Sequence, residues 1–465
     1  MMLQRRLTVL LIGLFCSGMA LAQNVILPEV TRVELENGAV LLLNEKHDVP
    51  LIGLSASIRG GAVADSPELH GTASLLAGLL EKGAGERSAQ QFAEAADSVG
   101  ATLSTSAGLE SIDISAGFMA RDADLIIELL ADMLIRPTLD KDEMQKLRER
   151  RINFIRSAKD GNLTALMPIY GNAFLFGEHP YGNPVNGSES SLADITLTDL
   201  RTYYEEQLGG NRLIISVSGD FDIAEMQQKL GDAFADWRAA SAPLPVVEAA
   251  QRQSGNRVLL IDKPGATQTY FRMSNVGVSR TYPNRADLEL VNTLFGGRYT
   301  SMLNSALRVE SGLTYGAGSI VNQPSQPGSV NIASYTRTEA TVEAMDMALG
   351  ILGQLRDGAL DDATIQSGKN YVLGQFPTDF ETAGQLAGVF AMLEKYGLDA
   401  DYVNTYGDKV GAATAESMAA VIDEVYPAAE DLVFVILGDA ETIREQVAKY
   451  GPVTELAISE PRFRP

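Results

Sequence analysis

The sequence predicts an α+β fold built from two homologous halves, each a largely antiparallel sheet packed with helices. The chain has 465 residues, of which 45% are hydrophobic and 21% are charged. This length exceeds what one hydrophobic core usually supports, and the composition is that of a globular protein. Two further observations indicate the fold class. Two sequence landmarks recur once along the chain, and strand patterns arrive in adjacent pairs before clusters of helices.

The recurring landmarks indicate a single internal duplication. The string SIDIS, which begins at Ser111, is echoed 218 residues later by SVNIA at Ser329, and a run with helical spacing follows each string. The apolar strand that ends at Gly219 is echoed 219 residues later by the one that ends at Gly438. Because two separate landmarks share nearly the same offset, we expect two related domains rather than a chance match.

The elements of the first half follow from the period of the apolar residues. Alternation predicts strands over residues 33–43 and 51–58, with a hairpin turn at residues 36–38, whose sequence is ENG. Apolar residues at helical spacing predict helices over residues 71–82, 88–97, 122–135, 141–158 and 197–207.

A stretch rich in Ala, Pro, Ser and Gln separates the two copies near residues 239–256. Such a composition is typical of a linker. We therefore expect a first domain over residues 23–240, a linker over 241–256 and a second domain over 257–465.

Residues 1–22 have the features of a secretory signal peptide. Two arginines precede an apolar run over residues 7–15, and a small-residue cleavage site covers residues 20–22. A lipoprotein signal with Cys16 as the lipidated residue is the alternative, but the bulky Phe15 stands where such signals have a small residue. The apolar run is too short to span a bilayer. The prediction is a protein exported to the periplasm without a membrane anchor.

Charge and cysteine content exclude several classes of function. The chain has 37 Lys and Arg against 60 Asp and Glu, which gives a net charge of −23. This balance argues against nucleic acid as a partner and disfavours docking on anionic lipid. Cys16 is the single cysteine of the chain, so an internal disulfide and a thiolate metal site are both excluded.

The sequence contains three histidines, His47, His70 and His179, and none of them belongs to an H-E-x-x-H or an H-x-x-E-H motif. It also has no G-x-S-x-G elbow, no Walker loop and no dinucleotide-binding fingerprint. Each histidine stands in or beside a loop string, where a local hydrogen bond is the ordinary role. The sequence therefore offers few residues from which the active site of an independent hydrolase could be formed.

The most informative stretch is the helix predicted over residues 71–82. One of its faces is apolar and consists of Leu75, Leu76, Leu79 and Leu80. Another face carries Ser74, Ala77 and Gly78 at positions i, i+3 and i+4. With the preceding strand pair, the string HPYG at residues 179–182 and the duplication, this helix resembles the pitrilysin/insulinase metallopeptidase family. The resemblance is to its two-domain form, akin to mitochondrial processing peptidase, and covers nearly all of the chain after the signal.

The resemblance implies that the zinc site of this family is degenerate here. Active members place H-x-x-E-H on this helix, where two histidines hold zinc and the glutamate activates water. The matching positions are Ser74, Ala77 and Gly78, and the family's third ligand, a glutamate, falls near Phe154. None of these side chains can replace imidazole or carboxylate. We therefore expect no catalytic residue and no cofactor in this chain, although small residues also simply allow close helix packing.

The second half retains a different part of the family pattern. Residues 294–315 resemble the signature in which an arginine and a tyrosine seven residues apart reach the substrate near the zinc. These residues are Arg308 and Tyr315 here. A guanidinium and a phenol can hold a peptide backbone and steady developing charge on a carbonyl oxygen. Without the resemblance, Arg308 is an ordinary surface residue of a helix and Tyr315 a half-buried strand aromatic.

Together these features predict a non-catalytic, substrate-positioning subunit of a heterodimeric periplasmic zinc peptidase. The expected partners are a homologous subunit that bears the zinc and a peptide or small unfolded protein as substrate. The alternative is a metal-free binding or assembly protein of the same fold with no role in proteolysis.

Overall fold

The computed structural model describes residues 25–465. The signal peptide predicted over residues 1–22, including Cys16, lies outside the described residues. The described chain forms two six-stranded sheets, one small two-stranded sheet and helices that cover the larger sheets.

The first half of the chain alternates strands and helices as the sequence predicts. Its strands are β1 (Thr31–Glu34), β2 (Val40–Glu45), β3 (Leu51–Arg59), β4 (Gly83–Ala84), β5 (Arg87–Ser88), β6 (Thr102–Ala107), β7 (Ser111–Met119) and β8 (Leu213–Gly219). Its helices are α1 (Thr72–Leu80), α2 (Ala89–Asp97), α3 (Ala123–Ile135), α4 (Lys141–Gly161), α5 (Leu163–Phe176), α6 (Glu189–Asp194), α7 (Leu197–Gln207) and α8 (Ile223–Phe234). The five predicted helices are confirmed as α1, α2, α3, α4 and α7.

The second half repeats this pattern with more broken helices. Its strands are β9 (Arg257–Asp262), β10 (Gln268–Val276), β11 (Ala317–Asn322), β12 (Ser329–Arg337), β13 (Val433–Gly438) and β14 (Val453–Ala457). Its helices are α9 (Arg285–Asn292), α10 (Met302–Asn304), α11 (Thr341–Arg356), α12 (Asp362–Gln375), α13 (Ala383–Tyr396), α14 (Asp401–Asn404), α15 (Tyr406–Ala412), α16 (Ala415–Val425) and α17 (Ala440–Val447). Two π-helical turns, Thr293–Gly297 and Ser305–Glu310, flank α10.

Side-chain caps fix where several helices begin. Ser88 accepts a hydrogen bond from the backbone of Gln91 and so caps α2, and Thr196 caps α7 in the same way. Asp140 caps the long helix α4 by accepting from two backbone N–H groups. These hydrogen bonds satisfy N–H groups that have no partner inside the helix.

The two large sheets have the same strand order, which confirms the two homologous halves. The first runs β1-β2-β8-β3-β7-β6 and the second runs β14-β9-β13-β10-β12-β11. They differ at one edge, where β1 pairs antiparallel with β2 but β14 pairs parallel with β9. The other parallel pairs are β2 with β8 and β9 with β13, and the remaining neighbours are antiparallel. The α+β class with largely antiparallel sheets is thus confirmed.

Each sheet is covered on one face by helices of its own half and on the other face by a helix of the opposite half. Helix α13 packs on β3 and β8 of the first sheet, and α5 packs on β10 and β13 of the second. A Cβ atom at Gly53 of β3 would lie 2.2 Å from the backbone nitrogen of Gly384 in α13. Glycine at position 53 therefore allows α13 to lie directly on the sheet.

Strands β2 and β13 contain continuous apolar runs because both of their faces are buried. In β2, Leu41 and Leu43 face helices of their own half, whereas Val40 and Leu42 pack against α13. Strand β13 alternates in the same manner between its own core and the cluster that contains α5. Apolar clusters consequently extend across both halves.

Residues 241–256 contain neither helix nor strand. The imidazole Nε2 of His179 lies 2.8 Å from the carbonyl oxygen of Glu248 in this segment. Across residues 25–465, the helices all fall short of the length and apolar character needed to cross a membrane.

Candidate functional site

Helix α1 carries the three positions that the resemblance assigns to zinc binding on one of its faces. Ser74 is 3% exposed, Ala77 is 1% exposed and Gly78 is half-buried. The four leucines of the opposite face lie in the first-half core, as their spacing predicts. The hydroxyl of Ser74 donates to the amide oxygen of Asn186 over 2.7 Å.

The guanidinium of Arg151, on helix α4, covers this face of α1. Its Nη2 donates to the carbonyl oxygen of Ser74 over 2.6 Å, and its Nη1 donates to the Ser74 hydroxyl. A Cβ atom at Gly78 would lie 3.3 Å from the same Nη2. The small residues at positions 74 and 78 therefore make room for an arginine head group.

Arg151 places a positive charge where a metal ion would need negative or neutral donors. The partners of its hydrogen bonds are a hydroxyl, a backbone carbonyl and the amide oxygen of Asn186, and none is a carboxylate. Burial lowers the pKa of Arg151, and the neighbouring Arg150 lowers it further. A lowered arginine pKa still leaves the group charged at neutral pH.

The donor set at this face does not fit zinc. Zinc takes imidazole, thiolate or carboxylate ligands, and positions 74, 77 and 78 supply a hydroxyl, a methyl group and no side chain. Nowhere in residues 25–465 do three His, Cys, Asp or Glu side chains cluster closely enough to hold a metal ion. We therefore assign no metal chemistry to this helix.

Phe154 lies on α4 three residues after Arg151, and 65% of its surface is exposed. Sequence matching placed the third zinc position near Phe154, and it missed Arg151 and Asn186. The sequence signal that could have found Arg151 is a basic residue one helical turn before Phe154. A long arginine side chain can reach a neighbouring helix from that position.

Among the described residues, the three histidines do not form a metal-binding group. His47 is held between the carboxylates of Asp220 and Glu45, at 2.6 and 2.7 Å. His179 accepts a hydrogen bond from the backbone N–H of Tyr181 over 3.1 Å. Burial lowers the pKa of His70. The three rings do not come together as a site.

Arg308 and Tyr315 both project into solvent from one folded segment of the second half. Arg308 lies in the π-helical turn Ser305–Glu310, and Tyr315 is 77% exposed. The guanidinium of Arg308 stacks over the ring of Tyr299 with 5.0 Å between the guanidinium carbon and the ring centroid. Tyr299 is 62% exposed, and the sequence analysis did not single it out.

Backbone hydrogen bonds fix the spacing between Arg308 and Tyr315. The carbonyl of Leu307 accepts from the N–H groups of Leu313 and Thr314, at 2.9 and 3.2 Å. Gly312 makes this return possible because its φ is +65°, a conformation that favours glycine. A π-helical turn is common at functional sites.

The HPYG string joins the two halves of the molecule. The hydroxyl of Tyr181 donates to the carboxylate of Glu110 over 2.7 Å and accepts from the backbone N–H of Gln326 over 3.0 Å. Glu110 also accepts from the N–H of Ser325 over 3.0 Å. Burial and the hydrogen bond to Glu110 raise the pKa of Tyr181. This string therefore has a structural role.

Two sheets of matching order, and a helix whose zinc positions are covered by an arginine of α4, are the features of a metallopeptidase-like protein of the non-catalytic type. The chain matches the family model described as insulinase (peptidase family M16) over residues 40–187. It matches the model described as peptidase M16 inactive domain over residues 194–372. The chain belongs to this insulinase, or M16, family of peptidases.

Relatives and solved structures extend over most of the chain. A protein of Mycobacterium leprae named uncharacterized zinc protease ML0855 is 24% identical over 349 residues, which are 74% of this chain and 78% of that protein. The non-peptidase homolog YmxG of Helicobacter pylori is 23% identical over 385 residues, 82% of this chain and 86% of that protein.

A solved peptidase M16 inactive domain from Pseudomonas fluorescens has a TM-score of 0.82 at 19% identity, covering 88% of this chain and 98% of that one. A solved protease from Helicobacter pylori has a TM-score of 0.81 at 18% identity, covering 88% and 100%. At these sequence identities, the similarity to the solved structures shows the fold of this chain.

Proposed function

We propose that this chain is the substrate-positioning subunit of a heterodimeric periplasmic zinc peptidase that cleaves peptides or small unfolded proteins. One contrast carries the proposal. Arg151 covers the face of α1 that would hold zinc, whereas Arg308 and Tyr315 remain exposed on a fixed segment. Residues that hold a substrate are useful for cleavage only beside a chain that supplies the metal. The expected partner is a homologue with an intact H-x-x-E-H motif.

The exposed groups have the chemistry to hold a peptide backbone. A guanidinium donates charge-assisted hydrogen bonds to carbonyl oxygens, and a phenol can donate or accept. Stacking on Tyr299 limits the orientations of the Arg308 side chain, which reduces the entropy lost when a peptide binds. The proposed role of Arg308 and Tyr315 is thus to orient a substrate.

A metal-free binding or assembly role is the second candidate. The observation that favours it is the relative of Helicobacter pylori that is named a non-peptidase homolog. In this case the exposed segment would contact another protein, and no zinc peptidase activity would depend on it.

The test is reconstitution with the H-x-x-E-H homologue encoded in the same genome. Both chains are co-purified, and cleavage of a fluorogenic peptide is measured for wild type, Arg308→Ala and Tyr315→Phe. We expect the zinc-bearing chain alone to be slow, the pair to be fast, and each variant to lose about tenfold or more of kcat/KM.

The matched control is Arg121→Ala, because Arg121 is also an exposed arginine, with a side chain that is 72% exposed. This variant should keep the activity of the wild-type pair. A pair whose turnover is the same with all three variants contradicts the role of Arg308 and Tyr315. A failure of the two chains to associate favours the assembly role.

Export to the periplasm is tested separately. We expect the purified mature chain to begin at Gln23 and to fractionate with periplasmic proteins. An uncleaved N-terminus in the cytoplasmic fraction would contradict this part of the proposal.

A further inference from the structure

A cavity of about 570 Å³ lies between helix α5 and the part of the second sheet that α5 leaves uncovered. Helix α5 packs on β10 and β13, whereas the same face of β11 and β12 is open, so that Ile320 and Ala333 are exposed. The walls include Met167 of α5 and the stacked rings of Tyr270 and Tyr335. A concave space with apolar and aromatic walls is typical of a small-ligand site.

Arg272 carries the only formal charge among the described residues that line this cavity. It is 4% exposed. Its Nε donates to the amide oxygen of Asn331 over 2.9 Å, and its Nη2 donates to Asn331 and to the amide oxygen of Asn172. Within residues 25–465 no carboxylate is among its partners, and its Nη1 makes no hydrogen bond.

The matching place in the first half has a balanced pair of charges. Asn331 corresponds to Asp113 in the duplicated strand, and Asp113 lies 3.7 Å from the ammonium of Lys395 on the crossing helix α13. In the second half an amide replaces that carboxylate, and the buried guanidinium of Arg272 has no counter-charge.

Burying a charge without a counter-charge destabilises a fold, so this arrangement is unfavourable for folding alone. Burial lowers the pKa of Arg272 to about 10, which keeps it charged at neutral pH. Gly171 of α5 leaves room for the Arg272 side chain, since a Cβ at position 171 would lie 2.7 Å from Cδ of Arg272.

We infer that this cavity binds a carboxylate carried on an apolar body, with Nη1 of Arg272 as its anchor. Both N–H groups of Nη1 are free to donate to carboxylate oxygens, and such charge-assisted hydrogen bonds are strong. The apolar walls take the rest of the ligand. A free organic acid and the C-terminal carboxylate of a short peptide offer the same chemistry. The inference requires neither a zinc-bearing partner nor peptide cleavage.

The test is calorimetric titration of the whole mature chain with two acids and their neutral amides. The probes are 3-phenylpropionate with 3-phenylpropionamide, and acetyl-Gly-Phe with its C-terminal amide. We expect each amide to bind about tenfold or more weakly than its acid, because it lacks the charge that Nη1 requires. Binding of both acids shows that a free acid suffices, and binding of the peptide acid alone assigns the site to chain ends. Absent binding of both acids, or equal affinity of acid and amide, overturns the inference.

Two variants locate the binding at Arg272. Asn172→Asp places a carboxylate on Nη2 and keeps the side-chain oxygen that accepts its hydrogen bond, and it should weaken acid binding about tenfold or more. The control Asn322→Asp adds the same charge to the cavity wall at a residue that bonds Ser329 instead. It should weaken binding much less. Thermal unfolding verifies that both variants fold, and unchanged acid affinity in Asn172→Asp overturns the assignment.

Discussion

At the scale of single residues, Arg151 occupies the face of α1 that the resemblance assigns to zinc binding. Its guanidinium bonds both the hydroxyl and the carbonyl oxygen of Ser74 and so ties α4 to α1. In this position a fixed positive charge stabilises the helix pair without a metal ion. The consequence is structural, and it can be measured as stability.

Replacement of Arg151 by methionine should lower the free energy of unfolding by about 1 to 3 kcal/mol, because the Ser74 carbonyl loses its side-chain partner. Urea unfolding followed by circular dichroism measures the change. Arg150→Met is the matched control, since Arg150 is exposed and adjacent. It should stay within about 0.5 kcal/mol of wild type. Equal effects of the two substitutions would contradict the bridging role.

The histidines provide a second prediction at the scale of residues, because the pKa values of His47 and His70 shift in opposite directions. Hydrogen bonds to Asp220 and then Glu45 raise the pKa of His47, whereas burial lowers the pKa of His70. NMR titration should therefore place the midpoint of His47 above the usual value of about 6.5 and that of His70 below it. Asp220→Asn should lower the His47 midpoint and leave that of His70 unchanged.

The pH dependence of stability follows from the directions of these two pKa shifts. The raised pKa of His47 means that its pairing stabilises the fold at low pH, and this contribution is lost as pH rises through the folded-state pKa. The lowered pKa of His70 has the opposite effect, since the folded state resists protonation of a buried ring. A His47 midpoint below that of His70 would contradict both assignments.

At the scale of elements, the close approach of α13 to the first sheet depends on Gly53. A methyl group at Gly53 would meet the backbone of Ala383 and Gly384, which cannot move like the end of a side chain. Gly53→Ala should lower the free energy of unfolding by about 2 to 3 kcal/mol, measured by urea unfolding.

The control for this substitution is Gly231→Ala in helix α8. A Cβ at Gly231 meets nothing within 4 Å, so the change should be neutral or stabilise by up to about 1 kcal/mol through helix propensity. A stable Gly53→Ala protein would show that α13 does not need direct contact with β3.

The bounds of five first-half helices were predictable from the sequence, but the partners of the elements were not. The period of apolar residues fixed α1, α2, α3 and α7 because each has one face in the core. Helix α5, which contains Pro168, and helix α13 were not predicted. Nothing in their own periodicity shows that the sheet they cover belongs to the other half.

At the scale of the whole molecule, the exchange of α5 and α13 makes the halves interdependent. The first-half core continues into Leu259 and Ile261 of the second sheet. The core under α13 joins Val40 of the first sheet to Phe390 of the second half. Separation of the halves would expose both apolar surfaces to water.

Cleavage of the linker should therefore leave the molecule in one piece. A site for a specific protease inserted after Val246, which is 85% exposed, allows the chain to be cut. The two fragments should elute together from a gel-filtration column in native buffer and separate only in denaturant. Elution as two independent fragments in native buffer would contradict a shared core.

The sequence by itself determined the α+β class, the duplication and the loss of zinc ligands at positions 74, 77 and 78, because these depend on local period and residue chemistry. Tertiary structure alone decided which helix covers which sheet face, that Arg151 fills the space over α1, and that Arg272 is buried without a counter-charge. These facts depend on contacts between residues that are distant in the chain. Residue spacing does not encode them, since a side chain meets its partner only after both sheets have packed.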